Sequence, residues 1–317
     1  MANCNDMFQD FKDKISIPKT KREHLKKGKD GIETRIKNYY KNENENQPTF
    51  CQQGSYALNT MINPLDEEYD LDDGVYLQHL DDKKDNWPTT EIVHKEILEA
   101  VEKHTDQKNE DLKSCIRVVY AGDYHIDLPI YGEYGGRYFL ARTGDEQWVE
   151  NDIRGFNEWS RNKFKDSEQL RSIVKYLKAW NDFKNGEFTG ILITVLVGQY
   201  HEEFEDRDDE SLAKTVQRII ANFKVNRKVL NPVDSKENLI EKWSDSKIGR
   251  AIEALENLHE KALEAINEKD KAAASKKWIT VFGTRFPEYE EEKEESKVAV
   301  IPLVRDTRSP APPWSQS

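Results

Sequence analysis

The residues with the clearest chemical content lie between Gly54 and Asp72. Gly54-Ser55-Tyr56-Ala57-Leu58-Asn59-Thr60 reads as a turn. Its glycine lets the backbone come close to a phosphate, the Ser55 hydroxyl can donate to phosphate oxygens, and a helix expected from about Tyr56 would favour negative charge at its start. About fifteen residues on, Tyr69-Asp70-Leu71-Asp72 sets two carboxylates at i and i+2. On a β-strand both leave the same face while Leu71 turns into a core. Such a pair can share divalent cations, and a phosphate-holding turn beside it points to metal-assisted nucleotidyl transfer, in which several phosphate oxygens are neutralised while a hydroxyl attacks.

That chemistry calls for a third carboxylate. Asp127 supplies it from His125-Ile126-Asp127-Leu128-Pro129-Ile130, an alternating stretch expected to lie beside the first strand with Ile126 and Leu128 facing away. An unpaired buried Asp is costly, and a bound metal is a reason to keep one. With 60 Asp plus Glu in 317 residues, an Asp-x-Asp pair alone says little. The turn, the spacing and the third carboxylate carry the case together. Asp73 is expected to face the other side of its strand or cap the next turn, and is given no metal. The seven histidines show no H-x-E or H-E-x-x-H spacing, so no zinc site is expected.

These residues need elements to position them. Apolar residues at Phe8, Phe11 and Ile15, then Leu25, Ile32 and Ile36, predict a long helix or a helix pair interrupted at Pro18. Residues 49–143 read as a mixed α/β lobe: the turn, the Asp strand to Leu77, a helix over 90–103, strands over 116–121 and 124–131, and a hairpin through 132–136 into 138–142. Beyond Gly155 the pattern becomes helical, with Leu170, Val174, Leu177 and Trp180 on one face. Tyr176 and Trp180 are expected in the core rather than as base-stacking groups. The apolar run 191–197 reads as strand-like. The predicted organisation is a helical spine over 1–46, a catalytic core over 47–155, a helical second lobe over 156–288 and a tail over 289–317, in which 298–303 is apolar enough to dock.

The composition fits a folded chain with a soluble surface. Hydrophobic residues make up 36% and charged residues 34%, and the net charge of -12 argues against a general attraction to nucleic acid. The 191–197 run is far shorter than the roughly 20 residues of a membrane span and no signal peptide is seen, so a cytoplasmic protein without membrane contact is expected. Cys4, Cys51 and Cys115 are scattered, which indicates no disulfide framework.

Gln53-Gly54-Ser55-Tyr56, Tyr69-Asp70-Leu71-Asp72-Asp73-Gly74-Val75-Tyr76 and His125-Ile126-Asp127-Leu128-Pro129 resemble the active-site signature of the polymerase-β-type nucleotidyltransferases. With the Lys175-Tyr176-Leu177-Lys178-Ala179-Trp180 helix they resemble more narrowly the bacterial cGAS/DncV-like nucleotidyltransferases (CD-NTases) of anti-phage CBASS systems. The resemblance covers most of the chain. It implies an α+β fold: a two-lobed polymerase-β-like core, a mixed sheet flanked by helices, with a helical oligoadenylate-synthetase-type second lobe. It further implies that Asp70, Asp72 and Asp127 are catalytic and bind two Mg2+ ions, Mn2+ being an alternative. Gln53, Gly54 and Ser55 would hold the donor triphosphate, and Lys175 and Thr189 would contact the same phosphates, with Lys178 three residues on able to replace Lys175.

The activity so implied joins ATP, alone or with another NTP, into a cyclic oligonucleotide. A cyclic triadenylate stands narrowly ahead of a dinucleotide, pyrophosphate is released, and activation by a HORMA-domain partner is an option. A template-independent RNA nucleotidyltransferase is the alternative, and a silent nucleotide-binding protein would need a damaged triad, which this chain lacks. The zinc-bearing DNA-binding insertion of the animal DNA sensor is not visible, so nucleic acid is not expected as substrate or activator.

Overall fold

Pro18 divides the N-terminal helical pattern into α1 (Asn5–Ile15) and α2 (Lys19–Asn42). The computed structural model describes residues 1–43, 45–66, 68–122, 124–144, 147–165 and 167–290; the expectations for the tail, including 298–303, lie outside the described residues. The two helices serve different cores. From α1, Phe8 and Phe11 enter a helical cluster with Tyr176, Trp278, Phe282 and Phe286, whereas α2 lays Leu25, Ile32, Ile36 and Tyr40 against the sheet. Tyr176 and Trp180 are both buried in the helical cluster, as their spacing predicts.

Among the described residues eight strands form one mixed sheet: β1 (Thr49–Gln52), β2 (Tyr69–Tyr76), β3 (Glu110–Leu112), β4 (Cys115–Tyr120), β5 (Tyr124–Leu128), β6 (Ile130–Tyr134), β7 (Arg137–Ala141) and β8 (Trp148–Glu150). Their order is β3-β4-β5-β2-β6-β7-β8, with β1 pairing β2. The stretch expected as one strand over 124–131 is two, because Pro129 has no N–H to donate to a ladder. It nonetheless keeps one parallel register against β2 on both sides of the break: Asp72 faces Asp127 before it and Val75 faces Ile130 after it. At Pro129 the outer neighbour changes, from β4 to β7.

One face of this sheet is covered by α2 and by α4 (Thr90–Ala100), which bury Leu71, Val75, Ile126, Leu128 and Ile130. The other face meets the helical lobe, made of α5 (Ile153–Phe164), α6 (Glu168–Phe183), α7 (Gly190–Tyr200), α8 (Asp208–Asn226), α9 (Asp245–Ile266) and α10 (Lys271–Phe282). The 191–197 run is the middle of α7 and not a strand. Buried residues follow one another without a break from Leu192 to Gly198. A helix enclosed on all sides shows no periodicity, so its sequence looks like that of a buried strand. No helix of the described residues is long and apolar enough to cross a membrane.

Candidate active site

Parallel pairing of β2 and β5 sets Asp70 opposite His125 and Asp72 opposite Asp127. Cross-strand partners share a face, so the four side chains form a small square on the face turned toward the helical lobe. Ligand atoms of Asp70, His125 and Asp127 lie within 4.8 Å of one another. Alternation sends Asp73 the other way, into the core under α2, where neither carboxylate oxygen has a hydrogen-bond partner. Burial, and then Glu33, push its carboxyl up to about 7.

The turn before β2 is fitted to this square. Gly54 has φ of 58°, a left-handed conformation that favours glycine, and a Cβ there would lie 2.4 Å from Asp72 Oδ2. The helix that follows, α3 (Gly54–Ala57), is a single turn, and Asn59 leaves it at φ 56°. The extended helix expected from Tyr56 is absent, so little dipole is available. What the turn offers an anion is the Ser55 hydroxyl and the first N–H groups of α3, which have no intrahelical acceptor. Gln53 is committed elsewhere: its amide sits where a Cβ on Gly74 would be, donates to the Tyr76 hydroxyl at 3.5 Å and accepts from the Tyr131 hydroxyl at 3.3 Å. It braces the floor of the site, while its backbone N–H donates to the Asp72 carbonyl at 2.9 Å.

Between sheet and helical lobe lies a cavity of about 520 Å³. Gly54, Ser55, Asp70 and Asp72 form its polar wall, and Ile153, Phe156, Phe188 and Ile191 form an apolar one. Asp72 is pushed up to about 7 by burial and then by Asp70 and Asp127. Lys178 enters the same cavity from α6. Burial lowers its pKa to about 8, against the opposing pull of Asp70 and Asp72. Its ammonium donates to Thr60 O at 3.2 Å and Thr60 Oγ1 at 3.3 Å.

Lys175 is not among the residues lining this cavity; its ammonium donates at 2.9 Å to Ser16 Oγ, just past the end of α1. Thr189 stands at the lip, where Oγ1 caps α7 by accepting from the Leu192 N–H at 3.3 Å.

Asp127 is not the lone carboxylate its strand pattern predicts. Arg117, its register partner on β4, grips it with Nε to Oδ1 at 2.8 Å and one terminal nitrogen to Oδ2 at 2.9 Å. These hydrogen bonds hold the guanidinium pKa above its ordinary value, against the opposing effect of burial. Sequence reasoning missed Arg117 because a hairpin separates the partners, although Arg117 does alternate with Ile116 and Val118. It also passed over His125, two residues before Asp127 and so on the same face, by testing only for zinc spacings.

Residues 48–131 match the family model described as "Cyclic GMP-AMP synthase DncV-like, nucleotidyltransferase domain". That stretch, which holds the turn and all four corners of the square, is thus similar to the nucleotidyltransferase domain of the DncV-like enzymes. A curated c-di-GMP synthase from Roseivirga ehrenbergii is 25% identical over 253 residues, which span 65% of this chain and 65% of that protein, just under two thirds of its length. Among solved structures, the apo form of Vibrio cholerae DncV superposes with a TM-score of 0.76 at 19% identity, covering 90% of this chain and 96% of that one. Escherichia coli CdnC with ATP gives 0.69 at 15% identity, covering 89% and 98%. The cGAS/DncV-like fold thus spans both lobes, and the α+β reading, a polymerase-β-like mixed sheet with flanking helices, holds.

Proposed function

We propose that this chain is a divalent-cation-dependent synthase that condenses nucleoside triphosphates, ATP among them, into a cyclic oligonucleotide. The observation that carries this reading is Asp70, Asp72 and Asp127 converging on one sheet face, the first two lining with Gly54 and Ser55 a cavity of about 520 Å³ between the lobes. The residues fit a metal site: Asp72 is a carboxyl driven up by burial and then by its acidic neighbours, and cations would relieve that crowding. Asp70, Asp72 and Asp127 would hold two divalent ions, Mg2+ or Mn2+. When bound, these would neutralise the triphosphate and favour ionisation of the attacking 3′-hydroxyl.

Ser55 and the adjoining N–H groups bind the β- and γ-phosphates in this reading, and Lys178 rather than Lys175 supplies the positive side chain. Thr189 orients the mouth of the cavity, and Phe156, Phe188 and Ile191 enclose the base and exclude water. The acceptor 3′-oxygen bonds to the donor α-phosphorus, the bond to pyrophosphate breaks, and the hydroxyl proton leaves by way of Asp127. A second transfer of the same kind closes the ring.

The relatives' names supply the product class: a c-di-GMP synthase and a cyclic AMP-GMP synthase both make cyclic dinucleotides. This moves the proposal from a cyclic triadenylate toward a cyclic dinucleotide, acting as a second messenger in anti-phage defence. Extension of a polynucleotide is not favoured, given a net charge of -12. Purified protein, Mg2+ or Mn2+ and labelled NTPs without acceptor should yield a phosphatase-resistant product, identified by mass spectrometry. Extension of added RNA with no such product would reverse the assignment.

A further inference from the structure

The imidazole of His125 has no part in the reading above. The residue is 8% exposed, sits directly across from Asp70 in the parallel ladder, and shares a face with Asp127. Its Nε2 faces Asp127 Oδ2 at 4.0 Å, and its Nδ1 approaches Glu68 Oε1 at 3.5 Å. Beyond these two approaches the ring meets no hydrogen-bond partner among the described residues. The residue also lines an open cleft of about 510 Å³ with Glu68 and Arg117, through which an ion can reach the ring.

The arrangement is that of a metal-binding histidine, with one nitrogen turned toward carboxylates that can share an ion and the other toward the exposed carboxylate of Glu68. Arg117 sharpens the need for it. The guanidinium fork takes one lone pair from each oxygen of Asp127, which leaves that carboxylate a weaker donor to a cation. A nitrogen from across the square makes up the deficit.

We infer that His125 is a direct ligand, through Nε2, of the divalent cation held between Asp70 and Asp127, and that this donor makes the site prefer Mn2+ to Mg2+. Mg2+ demands oxygen ligands in near-ideal octahedral geometry, whereas Mn2+ accepts an imidazole alongside carboxylates. The inference rests on the proposed function only for the divalent site itself.

The test is pulsed electron paramagnetic resonance of the full chain loaded with Mn2+, which reports nitrogen bonded to the ion whether or not the protein turns over. Wild type should show 14N coupling that changes to the 15N pattern when histidine is 15N-labelled, a comparison that needs no variant. His125→Gln should lose the coupling and bind Mn2+ more weakly by at least about tenfold, the lower end of what even an outer partner of a metal ligand is worth. Its binding of Mg2+ should change much less.

Mn2+ binding that depends on Asp70 but gives no nitrogen coupling in wild type would overturn the inference, as would coupling that survives in His125→Gln. Product formation with no coupling would remove His125 and leave the synthase reading intact. Coupling without product from any NTP would do the reverse.

Discussion

At the scale of single residues, the site is a contest for two carboxylates. Asp72 is crowded by Asp70 and Asp127 and has no hydrogen-bond partner for its carboxylate among the described residues, so in the proposed reading its negative charge serves a cation and not the fold. Asp72→Asn should therefore abolish product, a loss of several orders of magnitude, without lowering the melting temperature of the cation-free protein. Unfolding of the variant, or retained turnover, would remove Asp72 from the mechanism. Asp127 differs, because Arg117 already neutralises it. Arg117→Ala leaves a nearly buried carboxylate without its fork, at a cost of about 1–3 kcal/mol, and frees both its oxygens. Mn2+ should then raise the melting temperature of the variant more than that of wild type in a thermal-shift series. Equal stabilisation would mean that fork and cation do not compete.

At the scale of elements, what could be read from the sequence depended on whether an element's partners had to be known. The two Asp-bearing strands were legible because alternation within each fixes a shared face, and the constant register of 124–131 against β2 brings those faces together. The α6 lysines were not legible in the same way. Lys175 and Lys178 are neighbours on one helix surface, and only the position of α1 decides that Lys175 turns to Ser16 while Lys178 reaches the cavity. Lys178→Ala should raise KM for the triphosphate about tenfold or more in steady-state assays, the cost of one charge-assisted hydrogen bond. Lys175→Ala should leave KM unchanged and act on thermal stability alone; the opposite pattern would restore Lys175 to the phosphate site. The helix α7 was misjudged for a different reason, since complete burial erased the periodicity that separates helix from strand.

At the scale of the whole molecule, both faces of β2 store acid. Asp73, under α2, is held up to about 7 from an ordinary 3.8. The folded state thus binds this proton more tightly than the unfolded chain does. The stability it confers is full below the unfolded value and is lost as pH rises toward about 7, an effect on the order of 4 kcal/mol. The melting temperature should fall between pH 5 and pH 8, and Asp73→Asn should flatten that slope and raise stability at pH 8. A slope unchanged in the variant would show that Asp73 ionises freely. The division into two cores could be anticipated from the change in periodicity near Gly155, but the splitting of the N-terminal pair between them could not, because either helix has an apolar stripe that suits either core.

The unbroken register along β2 also governs how chains of this kind can vary in length over evolutionary time. The connection between β2 and β4 carries none of the four corner residues, so it can gain or lose residues while Asp70 still meets His125 and Asp72 still meets Asp127. A single residue gained or lost between His125 and Asp127 would turn one of them to the α2 side and dismantle the square. Descendants of a common ancestor should therefore differ freely in the spacing from the first carboxylate pair to the third carboxylate, yet keep the histidine-to-aspartate step fixed at two.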